Sequence, residues 1–257
     1  MATPTIRRPR FDEVYMKTAF ITGSSRGIGR AIALRLSADG FNVILHGVSE
    51  SNHIKELKTQ IEKNGGTAEI VTADLCDLEA TKALAEKMKN SDVLVLNASL
   101  QHRTPWQEIT LAECYEQLNC NFVSSMALIQ AVVHHMKETG WGRIITIGSV
   151  QEAKPHPDML VYSASKAAQT NMMQSLSLQL ARDGITVNNV APGVIYTDRN
   201  VEALSDPEYA KKVTDSIPVG FYGEPKDCAG IVSLLCSEDG RYITGQSIYV
   251  DGGKSVQ

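Results

Sequence analysis

The chain has 257 residues, an apolar share of 43% and a formal net charge of −4. This length and apolar content suit an α/β domain with a full core, and the mild acidity speaks against nucleic acid or an anionic membrane as partner. No apolar run approaches a membrane span, and the five cysteines (Cys76, Cys114, Cys120, Cys228, Cys236) lack ligand spacing, so reduced cytoplasmic thiols fit better than disulfides or a metal site.

In chain order, residues 1–15 carry Arg7, Arg8, Pro9 and Arg10 without an apolar core. They read as an arm before the first strand rather than a secretory signal, and Met16 is an alternative start. Residues 16–257 then alternate strand and helix patterns, with strands expected at 18–22, 41–46, 67–71, 92–96, 142–148, 185–190 and 246–250. Helices are expected at 27–38, 50–64, 78–89, 107–138, 160–182 and 226–237. Continuous apolar strands such as Val93-Leu-Val-Leu96 imply burial on both faces, as in a parallel sheet covered by helices. The fold class expected is a single Rossmann-type doubly wound parallel sheet of about seven strands. Residues 197–224 are polar, weakly periodic and proline-bearing, which suggests a mobile substrate lid at the crevice.

Four features carry chemistry. The first strand runs straight into Gly23-Ser-Ser25-Arg26-Gly27-Ile28-Gly29 and then a helix. A strand, a glycine-rich turn and a helix N-terminus together make a dinucleotide-phosphate site. Tyr162 and Lys166 lie four apart, one turn on one helix face. A neighbouring ammonium stabilises a phenolate and brings a phenol toward use as a general acid/base, although the pair alone better fits a surface Tyr beside a solvated Lys. Ser149 closes a strand whose carboxyl end faces a ligand crevice, or is simply a turn serine. Asn121 interrupts an apolar helical stretch, or is an ordinary polar helix residue.

Taken with Asp74-Leu75, Asn97-Ala98-Ser99, Asn188, Pro192-Gly193-Val-Ile195-Tyr196-Thr197 and Ile243-Thr-Gly-Gln-Ser-Ile-Tyr-Val-Asp-Gly-Gly253, these motifs resemble the short-chain dehydrogenase/reductase family from about Lys17 to Gly253. The resemblance implies Tyr162 as acid/base, Lys166 as the group that lowers its pKa and holds the nicotinamide ribose, Ser149 as hydrogen-bond donor to the reacting oxygen, and Asn121 as the anchor of a water linking Lys166 to solvent. It also implies cofactor contacts at Asp74 (adenine), Leu75, Asn97 (ribose), Ala98, Pro192, Gly193, Ile195 and Thr197. Ser99 stands where the family usually has glycine, so it adds a hydroxyl or narrows the pocket. Members of the family are commonly tetramers, so a homotetramer is expected.

At the acidic position that selects NAD, the chain has Gly47. With Arg26 and Ser49 available to a 2′-phosphate, NADP(H) is expected over NAD(H), although Glu50 is one turn away. Polar candidates for the substrate wall are His102, Arg103, Gln151, His156, Tyr196 and Asn200. They favour a small polar polyol, sugar or sugar acid. The alternative is a 3-oxoacyl-carrier-protein reductase, disfavoured because Gly140 and Asp183 stand where that class has basic residues, with Arg143 and Arg182 close by. A non-catalytic dinucleotide-binding regulator is the remote third reading, since such members usually lose the Tyr or the Lys.

Overall fold

The computed structural model describes residues 16–257; the arm expected at 1–15 lies outside them. The strands are β1 (Thr18–Ile21), β2 (Asn42–Gly47), β3 (Ala68–Thr72), β4 (Val93–Leu96), β5 (Gly142–Ile147), β6 (Ile185–Pro192) and β7 (Ser247–Val250). They form one parallel sheet in the order β3-β2-β1-β4-β5-β6-β7. The order reverses between β1 and β4, and a doubly wound sheet opens its ligand crevice at the carboxyl ends beside such a reversal.

Strand alternation splits the core in two. Ala19, Ile21, Val93 and Val95 face α1 (Gly27–Ala38), α2 (Asn52–Lys63) and α9 (Pro225–Cys236). Phe20, Leu94 and Leu96 face the opposite layer, α3 (Leu78–Met88), α5 (Ser124–Thr139) and α6 (Leu160–Leu180). Successive strand residues point to opposite faces, so unbroken apolar strands are what a sheet covered on both sides requires.

Two expectations about helices need correction. The long helix expected at 107–138 begins later, as α4 (Leu111–Leu118), because Thr110 acts as N-cap and its hydroxyl accepts from the Glu113 N–H at 3.2 Å. It is also not continuous: Asn119–Val123 forms one π turn before α5 resumes. Residues 197–224, read as a weakly periodic lid with no helix assigned, contain α7 (Asp198–Leu204) and α8 (Pro207–Asp215). Asp206 caps α8 through Glu208 N at 3.0 Å, with Pro207 in the first turn where its missing N–H costs nothing. That Asp-Pro pair was the readable signal. Among the described residues no helix is long and apolar enough to cross a membrane.

Candidate active site

A cleft of about 930 Å³ runs along the carboxyl ends of the strands. At one end lies the turn after β1. Gly23 takes a left-handed φ of +63°, and a Cβ there would stand 2.9 Å from the Ala98 Cα. A Cβ on Gly29 would stand 2.4 Å from the Gly23 carbonyl oxygen. The turn is held from outside. Gly23 N donates to His46 Nδ1 at 3.1 Å, and Asn97 Nδ2 donates to the carbonyls of Thr22 and Gly23 at 3.0 Å each. Burial pushes the His46 imidazole down to about 4, against opposing contributions from the Ala73 carbonyl and Asp74. His46 is therefore neutral, with Nδ1 as acceptor and Nε2 facing the Ala73 carbonyl at 3.1 Å.

Ser25, Arg26, Gly27 and Ile28 line this end, with Gly47, Val48, Asp74, Leu75, Asn97, Ala98 and Ser99. Gly29 lies beneath the turn, and Ser49 is off the cleft wall. Glu50 pairs with Lys55 at 3.5 Å instead of turning inward. Burial raises the Cys76 and Cys120 thiols on this wall, so neither is a ready nucleophile.

In the middle stand Ser149 and Tyr162, both lining the cleft. Ser149 follows β5 and caps a short 3₁₀ turn, Val150–Glu152, accepting from Gln151 N at 3.1 Å. Gln151 ties this turn to the start of α6: its Oε1 accepts from the Ser163 hydroxyl at 2.9 Å and its Nε2 meets Met159 Sδ at 3.3 Å. One turn along α6, Lys166 Nζ lies 5.8 Å from the Tyr162 ring centroid and donates to the Ile147 carbonyl at 2.7 Å. Asn121 sits within the π turn and is fully buried. Its Oδ1 accepts from Leu100 N at 2.8 Å, and its Nδ2 donates to Leu100 O and Ser165 Oγ at 2.9 Å. The side chain thus clamps the loop after β4 onto α6. Single π turns inside α-helices are frequent at functional sites.

The far end is lined by Arg103, Gln151, Lys154, His156, Asn200, Lys212 and Lys254, with Pro192, Gly193, Ile195 and Thr197 between. Burial and the neighbouring Lys154 ammonium hold Lys254 below the usual lysine range. The three carboxylates on the cleft wall are engaged elsewhere: Asp74 with Cys76 N at 2.9 Å, Glu116 with His102 at 3.2 Å, and Asp198 with Arg26 at 3.8 Å. Of the substrate candidates, His102 and Tyr196 are off the wall; Tyr196 stacks on Tyr222 at 5.5 Å. Sequence reasoning missed His46, Ser125, Ser165 and Gln169. The only available signal was polarity at inward helix spacings, such as Gln169 three residues after Lys166.

A sequence profile described as enoyl-(acyl carrier protein) reductase matches residues 23–255. The chain is 38% identical over 253 residues to a glucose 1-dehydrogenase of Gluconobacter oxydans, covering 96% of this chain and 95% of that one. Among solved structures, a Beutenbergia cavernae protein provisionally described as an NAD(P)-dependent gluconate 5-dehydrogenase, with bound NADP at low occupancy, superposes with a TM-score of 0.90. It is 34% identical, covering 95% of this chain and 99% of its own. A 3-oxoacyl-(acyl-carrier-protein) reductase of Agrobacterium tumefaciens with NADP bound gives 0.88 at 35% identity, covering 92% and 93%.

Proposed function

The chain belongs to the short-chain dehydrogenase/reductase family, an oxidoreductase interconverting an alcohol and a carbonyl with NAD(P), and we propose that its substrate is a small polar polyol, sugar or sugar acid. The observation that carries the reading of the site is a buried ammonium one helical turn from a cleft-lining phenol.

The cleft fits a dinucleotide. The Cβ-free approach at Gly23 and Gly29 leaves room for a pyrophosphate against the N-terminus of α1, whose first N–H groups have no helical acceptor. When bound, the dinucleotide takes up or supplies the hydride. Tyr162 delivers the proton to the substrate oxygen in reduction and removes it in oxidation. Lys166 stabilises the phenolate form and would hold the nicotinamide ribose. Ser149 donates to the same substrate oxygen and stabilises charge developing there. Asn121 fixes the loop after β4 against α6. Asp74 and Asn97 on the cleft wall would hold the adenine and ribose, and Ile195 and Thr197 the carboxamide. Residues 197–224 serve as the substrate lid.

NADP(H) is the favoured cofactor. Gly47 offers no carboxylate to repel a 2′-phosphate, Glu50 is paired with Lys55, and Arg26 is on the wall. The ammoniums of Lys154, Lys212 and Lys254 on the cleft wall favour a hydroxyl-rich or carboxylate-bearing substrate at the far end. The acyl-carrier alternative is weakened at Arg143. That guanidinium is buried over the Trp141 ring, 4.3 Å from its centroid, at the start of β5 and so away from the cleft. The apolar groove of Phe122 on the π turn with Met126, Ile129, Met172 and Leu176 on α5 and α6 suits a second copy in a homotetramer, and five free thiols suit a cytoplasmic setting.

The test is turnover of polyols, aldonic acids and 3-oxoacyl thioesters with NADP(H) and NAD(H). Oxidation of a polyol or aldonic acid with NADP⁺ is expected. Activity confined to acyl thioesters would transfer the assignment to the carrier-protein class.

A further inference from the structure

Lys166 is 1% exposed, so its donors need fixed protein partners in place of water. The Ile147 carbonyl takes one at 2.7 Å. The second partner is Gln169, on the same helix face three residues on, whose Oε1 accepts at 3.2 Å. Gln169 is itself buried, and its Nε2 donates to Ser125 Oγ at 3.0 Å. Ser125 in turn donates to the Asn121 carbonyl at 3.0 Å. A hydroxyl has one proton. With that proton on the Asn121 carbonyl, Ser125 can only accept from Gln169, which fixes the amide with its oxygen toward the ammonium. A leucine would fill a helix-core position without burying an amide, so the polar side chain needs a reason, and Lys166 supplies one.

We propose that Gln169, oriented by Ser125, positions the Lys166 ammonium against Tyr162 and completes a bridge built of side chains from Lys166 to the Asn121 carbonyl. The bridge ties two elements together: α6, which carries the acid/base pair, and the π turn, which carries Asn121. The titratable neighbours of the ammonium include Tyr162 on its own helix and Cys120 on the π turn. The inference rests on the roles given to Tyr162 and Lys166 above.

Three variants test it: Gln169→Glu, Gln169→Leu and Ser125→Ala. Two midpoints are read for each: the pH midpoint of alcohol oxidation with NADP⁺, and the tyrosinate absorbance of the cofactor-free protein after subtraction of the Tyr162→Phe trace. Gln169→Glu sets an anion beside the ammonium and offsets its field at the phenol. Both midpoints move upward, by roughly one pH unit. Gln169→Leu removes an anchor of the ammonium and moves them the same way by less. Ser125→Ala repeats the direction in a protein that keeps the glutamine, and it stands in should the leucine variant fail to fold. Lowered thermal stability with both midpoints unmoved in Gln169→Glu and Ser125→Ala would overturn the inference and leave Gln169 a packing residue. Full turnover in Tyr162→Phe would instead sink the underlying reading of the site.

Discussion

The two rims of the cleft are built differently. The rim after β1 is fixed by partners far away in sequence: the buried His46 on Gly23 N, the half-buried Asn97 on the Thr22 and Gly23 carbonyls, and the His46 carbonyl on Ser24 N at 2.9 Å. The opposite rim is α7 and α8. Its attachments include Asn200 Nδ2 to the Ile195 carbonyl at 2.8 Å, Lys254 Nζ to Ser216 Oγ at 2.6 Å and Val219 N to the Gly252 carbonyl at 3.2 Å. No residue of α8 is buried. Few buried contacts mean a low free energy of local opening. The rim assigned to the dinucleotide is thus formed in advance, and the rim assigned to the substrate is free to adapt.

The largest expected effect tests whether chemistry sits on the fixed side. Tyr162→Phe removes the proton carrier and leaves the glycine turn untouched. The rate of the chemical step should fall ~10²–10⁴-fold, while the dissociation constant for NADPH, measured by fluorescence, stays within about twofold. A parallel loss of NADPH binding would show that Tyr162 belongs to the architecture of the fixed rim and not to its chemistry.

The same contrast explains what could be read from the sequence. The fixed rim was legible because its parts are contiguous: an apolar strand, glycines and a helix start lie within a dozen residues. Tyr162 and Lys166 were legible because helix geometry alone places them together. The brackets that hold those parts were not. His46 reaches Gly23 from the neighbouring strand and Ser125 meets Gln169 only where α5 packs on α6, and a buried histidine looks the same in sequence as an exposed one. The helices of 197–224 escaped for the opposite reason. No residue of α8 is buried, so its periodic signal was weak, and only the cap at Asp206-Pro207 marked it.

A smaller effect follows from His46. Its imidazole is neutral in the fold at about 4, against 6.5 for the free group. The folded pKa is depressed, so the contribution to stability is fully present above pH 6.5 and is lost as pH falls toward 4. The gap corresponds to roughly 3 kcal/mol at 1.36 kcal/mol per pH unit. Protonation at Nδ1 also removes the acceptor for Gly23 N, so NADPH affinity should fall only as pH approaches 4. Imidazole NMR checks the cause directly: an Nε2–H tautomer that persists to about pH 5 is expected. A His46 signal titrating near 6.5 would mean that the fixed rim does not depend on a buried neutral histidine.

The smallest effect concerns the ion pair that joins the rims, Arg26 on the fixed side and Asp198 at the start of α7. The pair is 3.8 Å apart with side chains 71% and 63% exposed. Such an exposed pair adds little to stability, so neither Arg26→Ala nor Asp198→Asn should lower the melting temperature measurably. Their effects on the cofactor should diverge. A guanidinium–phosphate hydrogen bond is of the order of 1.5–3 kcal/mol, so Arg26→Ala should weaken NADPH binding by about tenfold or more and leave NADH unchanged. Asp198→Asn frees Arg26 for the 2′-phosphate, and NADPH should bind about two- to threefold more tightly. Equal losses for both cofactors in Arg26→Ala would mean that the arginine serves the pyrophosphate end or the lid contact. The choice of NADP(H) would then have to come from Gly47 alone.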